Sequence, residues 1–435
     1  MSLSLVVAIV ALLALAYNIV DAAFGYVLTE NVIEPTEVVE FVLTDVRNDT
    51  TTDPATVDLA TLGASELAAV LREYQEPRLR VYIRDFLSVV PDDEFTQAPI
   101  RESLAGSSFR GQFADLTIND LDAAEWTLIL GNNIPQDRLV GLVRTEVIGE
   151  RILETWSLTE SVTGFAEIDE ARVAAVEGQN PNARLEFRSW LNINFLISPM
   201  STNPAIAGIR TALLGTLWVM IITVGFSFPL GVGAALYLQE YADDNWLTRV
   251  ISTNIRNLAG VPSIIYGLLG LSVFVIALEG ITTGRSILSA SLTLGLLILP
   301  VMIVNSQEAL RAVPPSVREG SYGLGATRWQ TIWRSVLPAA MPGILTGTIL
   351  GMSRAIGETA PLLALGASTF LVVDPSGPFS RFTVLPIQIY QWTSRPSDQW
   401  RSLASAAIIV LIILLLSLNA AAIYMRQRFR RKLQP

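Results

Sequence analysis

Apolar and polar positions divide this chain into long hydrophobic runs and one extended polar block. Five windows carry no charged side chain: Leu3–Val20, Thr211–Gln239, Asn257–Leu278, Ser286–Gln307 and Leu403–Met425. Each approaches or exceeds the ~20 residues that an α-helix needs to cross a ~30 Å hydrocarbon core. A sixth run, Pro342–Gly366, is apolar except for Arg354 and Glu358. The pattern therefore predicts about six transmembrane helices. Between the first two lies the block 28–204, whose mixed periodicity predicts an α+β domain. Strands are expected over Glu37–Val46, Arg78–Val90, Leu139–Ile152 and Arg184–Ile197, where apolar and polar residues alternate. Helices are expected over Ser65–Tyr74, which opens on a capping serine, and Asn119–Leu130; Asn48–Pro54 reads as a polar loop.

Charge sharpens this division and orients it. Residues 28–204 carry 13 Arg and 30 Asp or Glu, whereas the rest of the chain has 17 basic and 10 acidic side chains. The basic residues of the short loops concentrate on one side. The loops 240–256 and 308–341 and the tail from Arg426 hold 11 of them, against 4 on the other side (Arg285, Arg381, Arg395 and Arg401). By the positive-inside bias the richer side is cytoplasmic. With six spans, both termini are then cytoplasmic and 28–204 is extracytosolic. Val20 and Ala22 stand like the small residues of a signal-peptide cleavage site. The segment Met1–Ser4 has no basic residue, however, which favours a retained first span. The expected organisation is a first transmembrane helix at 1–27, the extracytosolic domain at 28–204, a five-helix membrane core at 205–425 and a basic tail at 426–435.

Composition removes several chemistries. The chain has no Cys and no His, so thiolate chemistry, Cys- or His-ligated metal and the commonest general base are excluded. Its one lysine is Lys432, so no Gly-Lys-Ser/Thr phosphate loop can form and ATP is not bound in that way. No strong positive field for nucleic acid is present. The carboxylates of 28–204 are scattered rather than set at calcium-loop spacing and read as a solvated acidic surface. No catalytic constellation stands out there.

The loop after the fourth span carries the most specific signal. Val317–Leu324 can form a short helix, Gly325 permits a left-handed turn, and Thr327–Val336 can form a second helix, together making a knob for a partner. Glu319, Gly325, Leu337 and Pro338 stand at the spacing of the EAA motif, and the stretch Glu319 to Pro338 resembles that motif of importer-type ABC permeases. Gly320 and Ser321 replace its two alanines, and Ser335 replaces its isoleucine. Other stretches resemble the PstA family of phosphate permeases: Tyr237–Ala242, Asn257–Gly267, Arg354–Leu363, Trp190–Pro199 and Leu385–Tyr390. The resemblance runs from about Trp190 to the C-terminus.

It implies an all-α, polytopic, MetI-like ABC permease core with an inserted extracytosolic domain, in the cell (plasma or inner) membrane. The activity implied is a non-catalytic share in ATP-driven import of inorganic phosphate. The implied partners are a homologous PstC-like permease as heterodimer, two PstB-like ATPases that bind the ATP, a PstS-like phosphate-binding protein, phosphate itself and membrane lipid. No cofactor is implied for this chain. The coupling loop, 305–341, would dock on an ATPase through Arg318, Glu319, Gly325, Leu337 and Pro338.

Arg354 and Glu358, four apart on an expected helix face near the middle of the fifth span, are expensive there, at roughly 2.5–3.5 kcal/mol each, and such charges usually face a cavity or one another. The guanidinium fork suits a tetrahedral anion. With Thr359 they are the expected substrate path. A permease for another oxyanion, or a membrane-anchored receptor or sensor acting through 28–204, are the alternatives. Pro262, Pro300, Pro342 and Pro361 mark candidate kinks, and Tyr390, Trp392 and Trp400 a candidate interfacial aromatic belt.

Overall fold

The computed structural model describes residues 2–88, 95–104, 113–178, 180–367, 371 and 373–433. The chain forms two compact units. One comprises Met1–Phe24 and Ser189–Pro435; the other, Gly25–Arg188, lies between these segments in sequence and is narrower than the expected 28–204.

The first unit is helical. Among the described residues, five helices are long and apolar enough to cross a membrane. The first span is Ser2–Ala23. The second is Arg210–Leu236, which continues through a wide turn, Tyr237–Tyr241. The fourth is Ile287–Arg311. The fifth ends in Leu337–Gly357, and the last helix is Asp398–Leu433. The expected third span is different. Trp246–Leu258 and Ser263–Ala277 form a pair bent by 102°. Pro262 precedes the second helix, and proline disfavours a helical conformation in the residue before it. Pro300 and Pro342, by contrast, lie inside continuous helices.

Hydroxyl groups tie the spans together. Thr223 Oγ1 and Ser227 Oγ of the second span donate to the Ser291 and Gly295 carbonyls of the fourth, both at 3.2 Å. Ser353 Oγ of the fifth span lies 3.0 Å from Asn419 Oδ1 of the last, and Arg426 reaches Thr346 Oγ1 at 3.1 Å. Such bonds contribute on average about 0.6 kcal/mol each in a membrane protein; several in register fix the helices against sliding. The first span packs against the last helix, with most of its apolar side chains facing outward.

Trp392 and Trp400 are not an interfacial belt. Both are buried, with ring centroids 5.8 Å apart, and Trp392 also packs on Phe195. Tyr390 alone of the three is exposed.

The Gly25–Arg188 unit is chiefly helical. Its small sheet has the order β2-β1-β3, where β1 is Phe24–Asn31, β2 is Glu150–Thr155 and β3 is Arg184–Ser189. The β1 and β2 strands are antiparallel, with Val27 opposite Thr155 and Asn31 opposite Glu150.

Several expected strands are helices. Glu37–Val46 lies in the helix Pro35–Phe41 and its wide-turn continuation Val42–Val46, because Val38, Val39, Val42 and Leu43 bury one helical face. Leu79–Leu87 is helical for the same reason, burying Leu79, Tyr82, Ile83 and Leu87; the end of that expected strand, at 89–90, lies outside the described residues. Leu139–Ile148 is helical and only Glu150–Thr155 is strand. Arg184–Ser189 is strand, but Ile193–Ile197 is helix. The expected helices appear at Ala64–Gln75 and Ala123–Asn133. Leu67, Leu71, Ile83 and Ile129 are at the centre of the core, each contributing about 1.5–3 kcal/mol by burial.

Candidate functional site

The loop between the fourth and fifth spans folds as a helical knob. Pro315–Gly323 forms its first helix, with proline at a first-turn position where no N–H partner is lost. The helix closes through bonds from Gly325 N to the Tyr322 carbonyl (2.9 Å) and from Ala326 N to the Ser321 carbonyl (3.1 Å). Gly325 has φ +80°, a left-handed conformation that disfavours side chains. Thr327 then caps the next helix: Gln330 N donates to Thr327 Oγ1 at 3.3 Å and Thr327 N to Gln330 Oε1 at 2.9 Å, a reciprocal capping box. Arg328–Thr331 continues through Ile332–Val336 into Leu337–Gly357.

The knob presents apolar surface outward. Leu324, at its tip, is 91% exposed, and Tyr322, Trp329 and Trp333 are exposed with it. The rings of Trp329 and Trp333 lie 5.3 Å apart. Glu319 and Gly325 share this outer surface. Leu337 points inward, into a core with Leu310, Val313 and Val336, and Pro338 is half-buried beside it. The two serines that depart from the motif meet: Ser321 Oγ donates to Ser335 Oγ at 3.1 Å, pinning the two helices of the knob to each other.

Arg318 turns inward rather than toward a partner. Its Nη2 donates to Glu240 Oε1 at 2.7 Å and to the Leu310 carbonyl at 3.0 Å, while Nη1 reaches the Val313 carbonyl at 2.9 Å. Arg328 donates to the Glu240 carbonyl oxygen and lies over the Tyr241 ring, 5.2 Å from its centroid. Glu240, at the end of the second span, is nearly buried. It was not among the site residues expected from sequence; its signal was its place within the Tyr237–Ala242 stretch. The knob is thus clamped to the second span by two arginines on one residue. Beside this clamp, Arg249 hydrogen-bonds Asp244 at 2.8 Å and holds its carboxyl below the usual range.

The fifth span is broken at the other expected site. Leu337–Gly357 stops, and a short helix, Ala360–Leu365, begins after Glu358 and Thr359. Pro361 is the cause. In a continuous helix its nitrogen would have to donate to the Gly357 carbonyl, which it cannot do, and its ring would clash there. Arg354 is therefore in the last helical turn, near the negative end of the helix dipole, and Glu358 is extended beyond it (ψ 104°). They do not share a mid-helix face as expected.

They still meet, with Arg354 Nε 3.4 Å from Glu358 Oε1. That contact is single and long. The terminal nitrogens of Arg354 make no hydrogen bond among the described residues, and the side chain is 38% exposed. Thr359 precedes the short helix, and its carbonyl accepts from Leu363 N at 3.0 Å. Ser263–Gly270 packs on Ala360–Leu365, and Tyr266 packs against the apolar cluster that includes Ala355 and Ile356, so the Asn257–Gly267 and Arg354–Leu363 stretches come together.

The membrane-spanning helices thus carry an exposed apolar knob fixed to the second span by a buried ionic clamp. Residues 227–433 match the family model described as "Binding-protein-dependent transport system inner membrane component". A probable ABC transporter permease protein of Bacillus subtilis (strain 168), YqgH, is 32% identical over 62% of this chain and 87% of the relative. A phosphate transport system permease protein PstA of Yersinia pestis is 33% identical over 52% of this chain and 75% of the relative. PstA 1 of Mycobacterium tuberculosis (strain ATCC 25618 / H37Rv) is 38% identical over 50% of this chain and 70% of the relative. The chain belongs to this family, the membrane permease subunits of ABC importers. It is a non-catalytic, multi-pass membrane component that works with ATPase and substrate-binding proteins; the ATPases hydrolyse the ATP.

Proposed function

We propose that this chain is the phosphate-translocating permease of an ATP-driven importer. It pairs with a homologous PstC-like permease, stands on two PstB-like ATPases and receives phosphate from a PstS-like binding protein. The knob and both termini face the cytoplasm, and Gly25–Arg188 faces the opposite side. Two of the relatives above are PstA proteins, which supports phosphate as substrate.

The observation that carries the reading is the clamp of Arg318 and Arg328 on Glu240. A knob pinned in this way moves with the second span instead of flexing alone. The second span is hydrogen-bonded to the fourth through Thr223 and Ser227. ATPase closure that displaces Leu324, Trp329 and Trp333 is thereby passed into the bundle. Arg354, with its terminal nitrogens unengaged, offers donors to a passing oxyanion, while Glu358 holds it loosely and disfavours trapping. Thr359 lies beside them at the helix break.

The test is assembly of the four-component complex. The permease should copurify with the ATPase, and the phosphate-loaded binding protein should stimulate hydrolysis. A stable, inserted permease that neither binds the ATPase nor affects its hydrolysis contradicts the reading.

A further inference from the structure

At the end of the fourth span remote from the knob, a cavity of about 690 Å³ is lined by Glu279, Thr283, Arg285, Gly366, Phe379 and Arg381, among others. Backbone hydrogen bonds bring together the segments that carry its two arginines. Ile287 N donates to the Ser380 carbonyl at 3.0 Å and Leu288 N to the Pro378 carbonyl at 2.8 Å. The loop carrying Arg381 is thus folded over the start of the helix that follows Arg285.

The other arginines on this side of the permease unit are occupied. Arg210 pairs with Asp374 at 2.8 Å, Arg401 pairs with Asp398 at 2.9 Å, and Arg395 stacks on Trp400 with its guanidinium 3.9 Å from the ring centroid. Arg285 and Arg381 have no carboxylate partner among the described residues; Glu279 lines the same cavity but pairs with neither. Gly366 makes room for Arg285. It has φ +89°, and a Cβ there would fall 2.7 Å from the Arg285 Nε. The exposed Arg285 side chain therefore runs along bare backbone at Gly366.

We propose that this cavity is an oxyanion vestibule, a weak site that collects a phosphate-class anion before it enters the path at Arg354. Two cations in one concavity repel each other, and an anion between them removes that cost. A concave wall of net positive charge also focuses field lines and raises the local concentration of anions. Glu279 keeps the net charge of the cavity low and the site weak, as an entry point requires. The inference rests on the orientation and substrate of the function proposed above.

The experiment compares Arg285→Gln/Arg381→Gln and Arg285→Lys/Arg381→Lys with the unaltered permease. The probe is labelled phosphate, carried by the reconstituted four-component transporter at saturating binding protein. The Gln pair should transport about tenfold more slowly at low ionic strength, with the gap narrowing as salt screens the field. Binding-protein docking and basal hydrolysis should be unchanged, and the Lys pair should retain most of the rate. Equal rates for the Gln pair and the unaltered protein overturn the vestibule. So does a loss of binding-protein docking in the Gln pair, which assigns the arginines to an acidic protein surface instead. Unaltered transporter that moves no phosphate is a different result: it overturns the functional reading and this inference with it.

Discussion

Arg354 tests what a residue can reveal before its structure is known. The sequence showed a charge pair four apart in an apolar run, and the expense of such charges in hydrocarbon pointed to function. It did not show that the helix ends between them, although Pro361 was a visible signal. Reading Arg354–Glu358 as one helical face overrode the hydrogen bond that Pro361 cannot make. The consequence is a single 3.4 Å contact instead of a tight bidentate pair. Arg354→Gln should therefore leave complex assembly intact and reduce phosphate uptake by about 10- to 100-fold, since a charge-assisted bond is worth about 1.5–3 kcal/mol. Arg354→Lys should restore part of the rate, as a point charge without the planar fork. Uptake assays on matched amounts of assembled complex decide it: normal uptake by the Gln variant makes the pair structural.

At the scale of elements, the knob was legible and the Gly25–Arg188 unit only in part: its helices at Ala64–Gln75 and Ala123–Asn133 were, most of its expected strands were not. The knob announced itself through Gly325 and the spacing from Glu319 to Pro338, which are local chemistry. The misread strands failed for a different reason. Glu37–Val46 was expected to be a strand because apolar and polar residues alternate there, yet Val38, Val39, Val42 and Leu43 recur at helical spacing. Leu79, Tyr82, Ile83 and Leu87 repeat the pattern. The i, i+3, i+4 recurrence of the apolar residues outweighs their partial alternation.

What sequence could not supply was the long-range closure. Glu240 and Arg318 are 78 positions apart and meet only in the folded chain. Glu240→Gln removes the carboxylate charge that Arg318 pairs with, leaves the backbone carbonyl that Arg328 bonds, and nearly keeps the volume. It should reduce substrate-stimulated ATP hydrolysis severalfold without abolishing ATPase binding, because the outer surface of the knob is untouched. Gly325→Val should act oppositely. Forcing a β-branched residue to φ +80° costs about 1–2 kcal/mol, deforms the tip and weakens ATPase binding itself. Binding and stimulated hydrolysis measured on both variants separate the two roles; identical defects contradict the division between surface and clamp.

For the molecule as a whole, the gross plan followed from the charge-free windows, because hydrocarbon imposes length and composition on anything that crosses it. The exception was the third window, where Pro262 starts a helix only at Ser263, bent by 102° from Trp246–Leu258, a helix that lies almost wholly in the expected loop 240–256. The aromatic belt failed because a tryptophan near a span end has two sinks, the lipid interface and a protein core, and sequence does not distinguish them. Trp392 took the core.

The central claim is that this permease, driven by partner ATPases, conducts phosphate. The direct measurement is phosphate accumulation by proteoliposomes holding the complete complex, with ATP and binding protein supplied to their respective faces. Net movement of phosphate to the side bearing the knob is expected, dependent on both ATP and binding protein. A complex that hydrolyses ATP and carries a different oxyanion but no phosphate would contradict it.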